Sequence, residues 1–485
     1  MNKYSLSLLA VIFSTASLYP TFSYAEDFYE VVDLGVIEGG NISVGSSINS
    51  TNQVVGYSNK PTTATTTDTI TTTDTATGAT TTATSTTANV APIRGFIYDQ
   101  YSLTDLGGID NGEIFVEITN TLDGIVTTET KTSTVDIFSQ IFDVSDDGNA
   151  VGYTNRVVGS VVITPIPDQP AKETIAIIVT ERAIYIDSNT LQLTELPDFS
   201  ETASRNMRAT SITNDYIVGI GSFDEPDDLD DDGSDSADLF DRGFIYEISS
   251  NNLTKISPLG NNLTHHITLR DIDDTGLAVG ISAEKLGSTV FNKKVVGVDL
   301  NAPDNIIEYT IFGTASQDVN AINNSRKIVG RAVDTNGTYL TAFLYDIDSV
   351  LATDLGVLNS NFPSSEAFDI NDGDQIVGLS QTKSQPVEFS GFIYENGEMK
   401  DLSKMIGCNT GWTINEARSI NNDGFITGIG LLNGEARAFM LKPLSGSAPV
   451  CKDEAENIGG SGSPSLISLF SLISLFTLRR RLIKK

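Results

Sequence analysis

The amino-acid sequence predicts an all-β protein, a seven-bladed β-propeller of four-stranded blades. Three observations carry this expectation. One short polar pattern recurs seven times along the chain. A second, aromatic pattern follows most copies of the first. The two ends of the body supply complementary parts of a single repeat. Repeats of this length mean one supersecondary unit used many times.

The first pattern is an apolar residue, two or three Asn, Asp, Ser or Thr residues, often a Gly, then a β-branched pair and a closing Gly. Its copies span residues 47–56, 143–152, 211–219, 271–280, 321–330, 369–378 and 419–428. Asn and Asp tolerate the positive φ angles of a tight turn, so the polar stretch should join two strands. The second pattern is Gly95-Phe96-Ile97-Tyr98 with Thr104-Asp105-Leu106-Gly107, Gly243-Phe244-Ile245-Tyr246, Ala342-Phe343-Leu344-Tyr345 with Thr353-Asp354-Leu355-Gly356, and Gly391-Phe392-Ile393-Tyr394 with Lys400-Asp401-Leu402. These β-branched and aromatic runs read as a third and a fourth strand. The closing glycines Gly280, Gly330, Gly378 and Gly428 are spaced 50, 48 and 50 residues apart. Four strands in a unit of that size make a propeller blade.

The body opens with Tyr29-Glu30-Val31-Val32-Asp33-Leu34-Gly35, a fourth strand without its first three. It finishes with Ala438-Phe439-Met440-Leu441, a third strand without its fourth. Joining them completes the seventh blade and removes exposed strand edges. An open β-repeat array of the same hairpins is the alternative.

The repeats resemble the HAF-type extracellular repeats of bacterial secreted proteins, a largely uncharacterised family. Residues 369–378 with Gly391 to Leu402 carry the resemblance best. The fourth copy departs from it, because Val295-Val296-Gly297-Val298 lacks the aromatic. The resemblance covers most of residues 28–444 and implies export and repeat architecture, and no activity.

Both termini read as processing segments. Residues 1–25 combine Lys3, an apolar run over 6–18 and Ser23-Tyr24-Ala25, a secretory signal with cleavage by signal peptidase after Ala25. Residues 26–445 are the propeller body, and 446–463 are a linker holding Gly459 and Gly460. Residues 464–485 are an apolar stretch with a basic end, Arg479-Arg480-Arg481 and Lys484-Lys485. The apolar stretch, 465–478, is shorter than the roughly 20 residues of a comfortable membrane span. This end resembles the GlyGly-CTERM sorting tail of Gram-negative bacteria. The resemblance implies a transient inner-membrane anchor, cleavage by a rhomboid-type sortase, and type II secretion to the cell surface or medium. An ordinary C-terminal anchor is the alternative.

The net charge is −33. Removing both ends takes away six basic residues and no acidic ones, which leaves 24 minus 63, or −39, on the body. A surface this acidic repels phosphate backbones, so nucleic acid is not an expected partner. The only two cysteines, Cys408 and Cys451, suit a disulfide in an exported protein. Such a bond would fasten the seam of the last blade; two separate thiols are the alternative.

Four insertions interrupt the blades. Residues 60–92 are rich in Thr, Ala and Asp and read as a flexible loop open to O-glycosylation. Residues 112–136 and 157–180 read as extra hairpins. Residues 223–241 form an acidic loop. Within it, Asp228, Asp230 and Asp232 alternate ahead of Gly233, with Asp235 and Asp238 following. Aspartates at alternate positions before a glycine present several oxygens to one hard cation, so Ca²⁺ is the expected cofactor. Leu239 stands where an EF-hand needs Glu, so the loop is not an EF-hand. A solvated acidic loop is the bland alternative.

The polar turns should lie together on one face, where their carboxylates and amides could ring a channel mouth, or serve turn geometry alone. His265 and His266 point to opposite faces of a strand and cannot form one site. No nucleophile motif such as Gly-x-Ser-x-Gly occurs. Trp412, the only tryptophan, reads as core at the entry of the last blade rather than a sugar platform. The expected function is therefore non-enzymatic binding of an extracellular glycan or protein. An extracellular hydrolase working at the channel mouth and a structural matrix component are the alternatives.

Overall fold

The computed structural model describes residues 28–61, 65–88, 92–109, 113–122, 125–134, 138–163, 174–198, 206–224, 239–261, 265–286, 289–313 and 316–444. The two processing segments and Cys451 lie outside these residues, as does the acidic stretch holding Asp228, Asp230, Asp232, Asp235 and Asp238.

The described residues are all-β and propeller-like. Strand β1 (Phe28–Gly35) precedes a first repeat of β2 (Ser43–Ile48) and β3 (Val54–Asn59). An inserted hairpin, β4 (Thr65–Asp74) and β5 (Thr80–Ala88), follows before the repeat resumes with β6 (Ile93–Asp99) and β7 (Ser102–Gly107). A second inserted hairpin is β8 (Glu113–Leu122) and β9 (Ile125–Thr134). The next repeat is β10 (Ser139–Val144), β11 (Ala150–Ile163), β12 (Thr174–Ile186) and β13 (Leu193–Glu195). After it come β14 (Asn206–Ile212), β15 (Tyr216–Asp224), β16 (Leu239–Glu247) and β17 (Asn252–Ile256). Then come β18 (His265–Ile272), β19 (Leu277–Leu286), β20 (Thr289–Asp299) and β21 (Ile306–Tyr309), and after them β22 (Gln317–Ile322), β23 (Lys327–Val333), β24 (Leu340–Asp346) and β25 (Leu351–Gly356). The chain continues through β26 (Ser365–Ile370), β27 (Ile376–Ser384), β28 (Val387–Glu395) and β29 (Glu398–Asp401), and ends with β30 (Trp412–Ile420), β31 (Ile426–Leu432) and β32 (Glu435–Leu444).

Five of the repeats form separate four-stranded sheets: β2-β3-β6-β7, β18 to β21, β22 to β25, β26 to β29, and β30-β31-β32-β1. The last takes its edge strand from the start of the chain, with Val31 opposite Leu441 and Phe28 opposite Leu444. The other two repeats, β10 to β13 and β14 to β17, are joined in one eight-stranded sheet. The expectation of seven separate blades is corrected here to five. The junction is a single parallel bridge, Glu181 opposite Asn206. The Asn206 side chain accepts from the Glu181 amide at 3.0 Å, and Glu181 takes both nitrogens of the Arg208 fork.

A further difference concerns the Thr-rich insertion. Instead of a loop it forms β4 and β5, and β4 also pairs along β9 of the other insertion, giving a four-stranded sheet ordered β5-β4-β9-β8. Threonine is β-branched and suits a pleated strand. Facing Thr hydroxyls of β4 and β5 lie 3.2–3.3 Å apart, at Thr67–Thr86, Thr69–Thr84, Thr71–Thr82 and Thr73–Thr80. The 157–180 insertion lengthens β11 and β12 into one antiparallel ribbon.

The core lies between successive sheets. Val279, Tyr309, Val319 and Phe343 pack together from two neighbouring sheets, and Ala321, Val329, Ile376 and Phe392 from the next pair. Trp412 is half-buried and meets Phe439 edge-on at 6.2 Å, so it belongs to the core of the last sheet.

One irregularity repeats in every first strand. The register slips between Gly45 and Ser47, Ile141 and Asp143, Ala209 and Ser211, Leu269 and Asp271, Val319 and Ala321, Ala367 and Asp369, and Ala417 and Ser419. A bulge of this kind bends the strand and re-aims the side chain that follows it. It also explains the closing glycines. A Cβ on Gly378 would lie 2.0 Å from the Glu366 carbonyl oxygen and 2.8 Å from the Phe392 ring. We expect Gly378→Ala to destabilise the fold by about 2–3 kcal/mol, read as a lower denaturant midpoint with an unchanged slope; an unchanged midpoint would mean that the bulge does not impose the glycine.

Candidate functional site

The seven polar turns converge on one solvent-filled mouth of about 410 Å³. Its wall is built in three layers, each made of one position from every turn.

The first layer is the position before the turn's aliphatic residue: Ser47, Asp143, Ser211, Asp271, Ala321, Asp369 and Ser419. The bulge aims these side chains at the neighbouring turn. Asp143 accepts from the Ile212 amide at 2.9 Å, Asp271 from the Ile322 amide at 2.8 Å, and Asp369 from the Ile420 amide at 2.9 Å. Ser419 Oγ accepts from the Ile48 amide at 3.3 Å, which ties the last repeat to the first. Each carboxylate also accepts from the amide after it, as with Asp271 and the Ile272 amide at 2.8 Å. Where Ala321 can offer nothing, Asn320 Nδ2 donates to the Ala367 carbonyl at 2.8 Å.

Ser211 shows how a proton is held here. Its Oγ lies 2.8 Å from Asp143 Oδ2 and 2.7 Å from Asp271 Oδ1. A hydroxyl carries one proton and can donate to one of them only. The other contact is a hydrogen bond when that carboxyl is itself protonated and donates to Oγ. Electrostatics agree. Desolvation, and then the charge of Asp143, pushes the Asp271 carboxyl up to about 7. Desolvation pushes Asp369 up to about 6, against the amide of Ile420, which lowers it. Asp143 is raised by desolvation as well. All three remain half-buried and in touch with mouth solvent, which moderates these shifts.

The second layer is buried: Asn49, Ser145, Thr213, Asp273, Asn323, Asn371 and Asn421. The side-chain oxygen folds the turn. Asn371 Oδ1 accepts from the amides of Gly373 and Gln375, each at 3.0 Å, while Asp374 takes φ 63°. The amide nitrogen then reaches the next turn. Asn323 donates to the Asn371 carbonyl at 3.0 Å, Asn371 to Asn421 at 3.0 Å, Asn421 to Asn49 at 2.9 Å, and Asn49 to Ser145 at 3.0 Å. These residues therefore serve turn geometry and the contact between repeats together.

The third layer is the rim. Asp146 accepts from the Ser50 amide at 2.9 Å and Asp372 from the Asn324 amide at 2.9 Å, while Asn324 Nδ2 bridges Asp274 at 2.9 Å and Asp372 at 3.2 Å. Among the described residues that line the mouth there is no Lys or Arg. Farther along the first strands the acidic side chains are paired. Arg331 bridges Glu366 at 2.8 Å and Asp318 at 3.4 Å, Lys293 meets Asp318 at 2.9 Å, Arg418 meets Glu416 at 2.7 Å, and Arg208 lies 4.6 Å above the Tyr153 ring. Negative charge is thus uncompensated at the mouth and compensated beyond it.

Of the residues singled out from sequence, Cys408 is half-buried and disulfide-bonded. Its expected partner Cys451, the aspartates from Asp228 to Asp238, and the processing residues Ala25, Gly459 and Gly460 lie outside the described residues. His266 is buried away from the mouth, its Nδ1 accepting from the Asp241 amide at 3.0 Å. Among the described residues no group of three or more His, Cys, Asp or Glu is placed to hold a metal.

A family model described as "Protein of unknown function (DUF3466)" matches residues 186–439, just over half of the chain, and the chain belongs to that family. The comparisons return neither HAF-type repeats nor a GlyGly-CTERM tail. No match was found among curated proteins. Of solved structures, the chain is similar to Porphyromonas gingivalis dipeptidyl peptidase 4, with 10% identity, a TM-score of 0.34, and coverage of 65% of this chain and 49% of that one. It is also similar to the tricorn protease, with 10% identity, a TM-score of 0.18, and coverage of 81% and 47%. The chain spans about half the length of either.

The raised carboxyls give a pH test. A carboxyl whose folded value lies above its free value of 3.8 binds its proton more tightly in the folded state. The stability it contributes is full below 3.8 and is lost as pH rises through about 6 to 7. The melting temperature should therefore rise as pH falls from 8 to 5. Asp271→Ala should lower it by the equivalent of about 1–3 kcal/mol, by stranding the Ile322 amide, and should shallow the pH slope. An equal slope in the variant would assign the effect to general charge repulsion.

Proposed function

We propose that this protein is a non-enzymatic binding protein working outside the cell, and that the polar mouth is its binding face. In this reading the eight-stranded sheet acts as two blades held by one bridge, which makes a seven-bladed ring with one turn from each blade at the mouth. The observation that carries the reading is a concave wall whose polar side chains are Asp, Asn, Ser and Thr, with no Lys, Arg or aromatic residue among the described residues that line it. Such a wall favours a ligand that brings hydrogen-bond donors and positive charge. An amino-sugar glycan or a basic protein segment fits better than a neutral sugar that needs stacking.

The hydrolase alternative draws on the raised carboxyls of Asp271 and Asp369 at the mouth. Against it, their oxygens already accept from the Ile322 and Ile420 amides.

The proposal includes export by the signal at residues 1–25 and delivery to the surface or medium of a Gram-negative bacterium. The tail around Gly459 and Gly460 would anchor it transiently in the inner membrane until a rhomboid-type sortase cuts. It also includes a Cys408–Cys451 bond at the seam of the last blade. Calcium is proposed for the acidic loop, with Asp228, Asp230, Asp232, Asp235 and Asp238 as ligands.

Two experiments test this. Purified residues 26–458 on an array of glycans and basic peptides should give a saturable signal that weakens with added salt. The double variant Asp274→Ala with Asp372→Ala should lose about tenfold in affinity or more. A blank array, or binding untouched by the variant, would overturn the mouth as the binding face. For the loop, chelation should lower the melting temperature and Asp230→Ala should abolish that shift; a melt unchanged by chelator would remove the calcium site.

A further inference from the structure

Asp273 breaks the pattern of the buried second layer. Every asparagine there uses its oxygen within its own turn and its nitrogen on the next turn. Asp273 does the first of these. Its Oδ1 accepts from the Thr275 amide at 3.0 Å, the Thr275 hydroxyl at 2.7 Å and the Leu277 amide at 2.9 Å. Its Oδ2, which stands in the place of the amide nitrogen, has no hydrogen-bond partner among the described residues. Yet Asp273 is only 3% exposed.

The other side of this seam is short of a donor too. In the first turn, the Asn49 carbonyl accepts from the Asn52 amide at 3.0 Å and from the incoming Asn421 nitrogen at 2.9 Å. In the fifth turn, the Asn323 carbonyl accepts from the Arg326 amide at 3.0 Å, and the residue at the position facing it in the repeat pattern is Asp273, which has no amide nitrogen to offer. Asp273 thus stands in the position from which Asn49, Asn323, Asn371 and Asn421 each send an amide to the next turn, a position that Ser145 and Thr213 hold at two other seams. The nearby cations on that turn are engaged elsewhere. Arg326 meets Asp348 at 3.0 Å, and Lys327 meets Asp374. A buried carboxylate oxygen with neither a hydrogen-bond donor nor a counter-charge is costly to keep.

We propose that this seam is a binding site for a compact cation, a metal ion or an ammonium group. Asp273 Oδ2 and the Asn323 carbonyl would be its protein ligands, and mouth solvent would complete the shell. Carboxylate and carbonyl oxygens are the ligands that hard cations take. The cation would do at this seam what an asparagine amide does at four of the others, fastening the fourth turn to the fifth. The site does not depend on what the mouth binds, because its readout is stability.

The test uses the purified protein in a buffer whose only cation is choline, too bulky for the seam. Sodium, calcium or methylammonium chloride is titrated in, with choline chloride matching ionic strength. At least one compact cation should raise the melting temperature saturably, by about 2 °C or more above the choline control. A response to sodium or calcium alone identifies a metal site, and a response to methylammonium identifies an ammonium site. Asp273→Asn supplies the missing amide, so it should melt higher than wild type in choline and lose the cation response. Asp230→Ala, in the acidic loop, should keep the response to sodium or methylammonium, and the calcium arm is read with Asp230→Ala present so that the loop does not contribute. If no compact cation differs from choline, the proposal is wrong. It is equally wrong if Asp273→Asn keeps the full response. Should Asp273→Asn fold poorly, Asp273→Ser is read in its place, with loss of the response again the expected result.

Discussion

The structure depends on one constraint: the repeats must be fastened to one another at the mouth, and in four of the seven a side chain does this by accepting from the backbone amide of the repeat beside it. Sheets that meet edge-on at a shared centre leave inner backbone groups facing each other across seams rather than along a ladder. Unpaired, those groups would cost about 1–3 kcal/mol each. The bulge in every first strand answers this. It places Asp143, Asp271 and Asp369 against the Ile212, Ile322 and Ile420 amides, and Ser419 against the Ile48 amide. The buried asparagines fasten two of these seams a second time and close two others. Chain closure through β1 and β32 follows the same logic, because it lets Asn421 reach Asn49.

This arrangement has an electrostatic consequence. Acceptors at the centre are most simply carboxylates, and carboxylates gathered round one mouth repel each other. Burial raises the carboxyls of Asp143, Asp271 and Asp369 toward the protonated form, and Ser or Ala stands at the intervening positions. What is left is a mouth with negative potential and no basic wall, and that residual field is the basis of the functional reading.

Much of this was legible in the sequence. The polar turns, the closing glycines and the complementary ends are local patterns, and local patterns survive translation into strands. The partners of Asp143, Asp271 and Asp369 were not legible, because each lies some fifty to seventy residues away. The fusion of two repeats was not legible, since it rests on the single Glu181–Asn206 bridge and the Arg208 fork. The Thr-rich insertion misled, because its composition suits a solvated loop while its β-branched residues find a partner strand in another insertion. The bare oxygen of Asp273 is invisible in sequence, where Asp and Asn are interchangeable turn formers.

The central claim, that side chains at the mouth fasten the repeats through neighbouring backbone amides, is tested most directly by native-state hydrogen exchange. The amides of Ile212, Ile322 and Ile420 should exchange only with global unfolding, at rates matching the central strands β19 and β23. Exchange of these three amides orders of magnitude faster than the strands, under conditions where the sheets stay protected, would contradict the account.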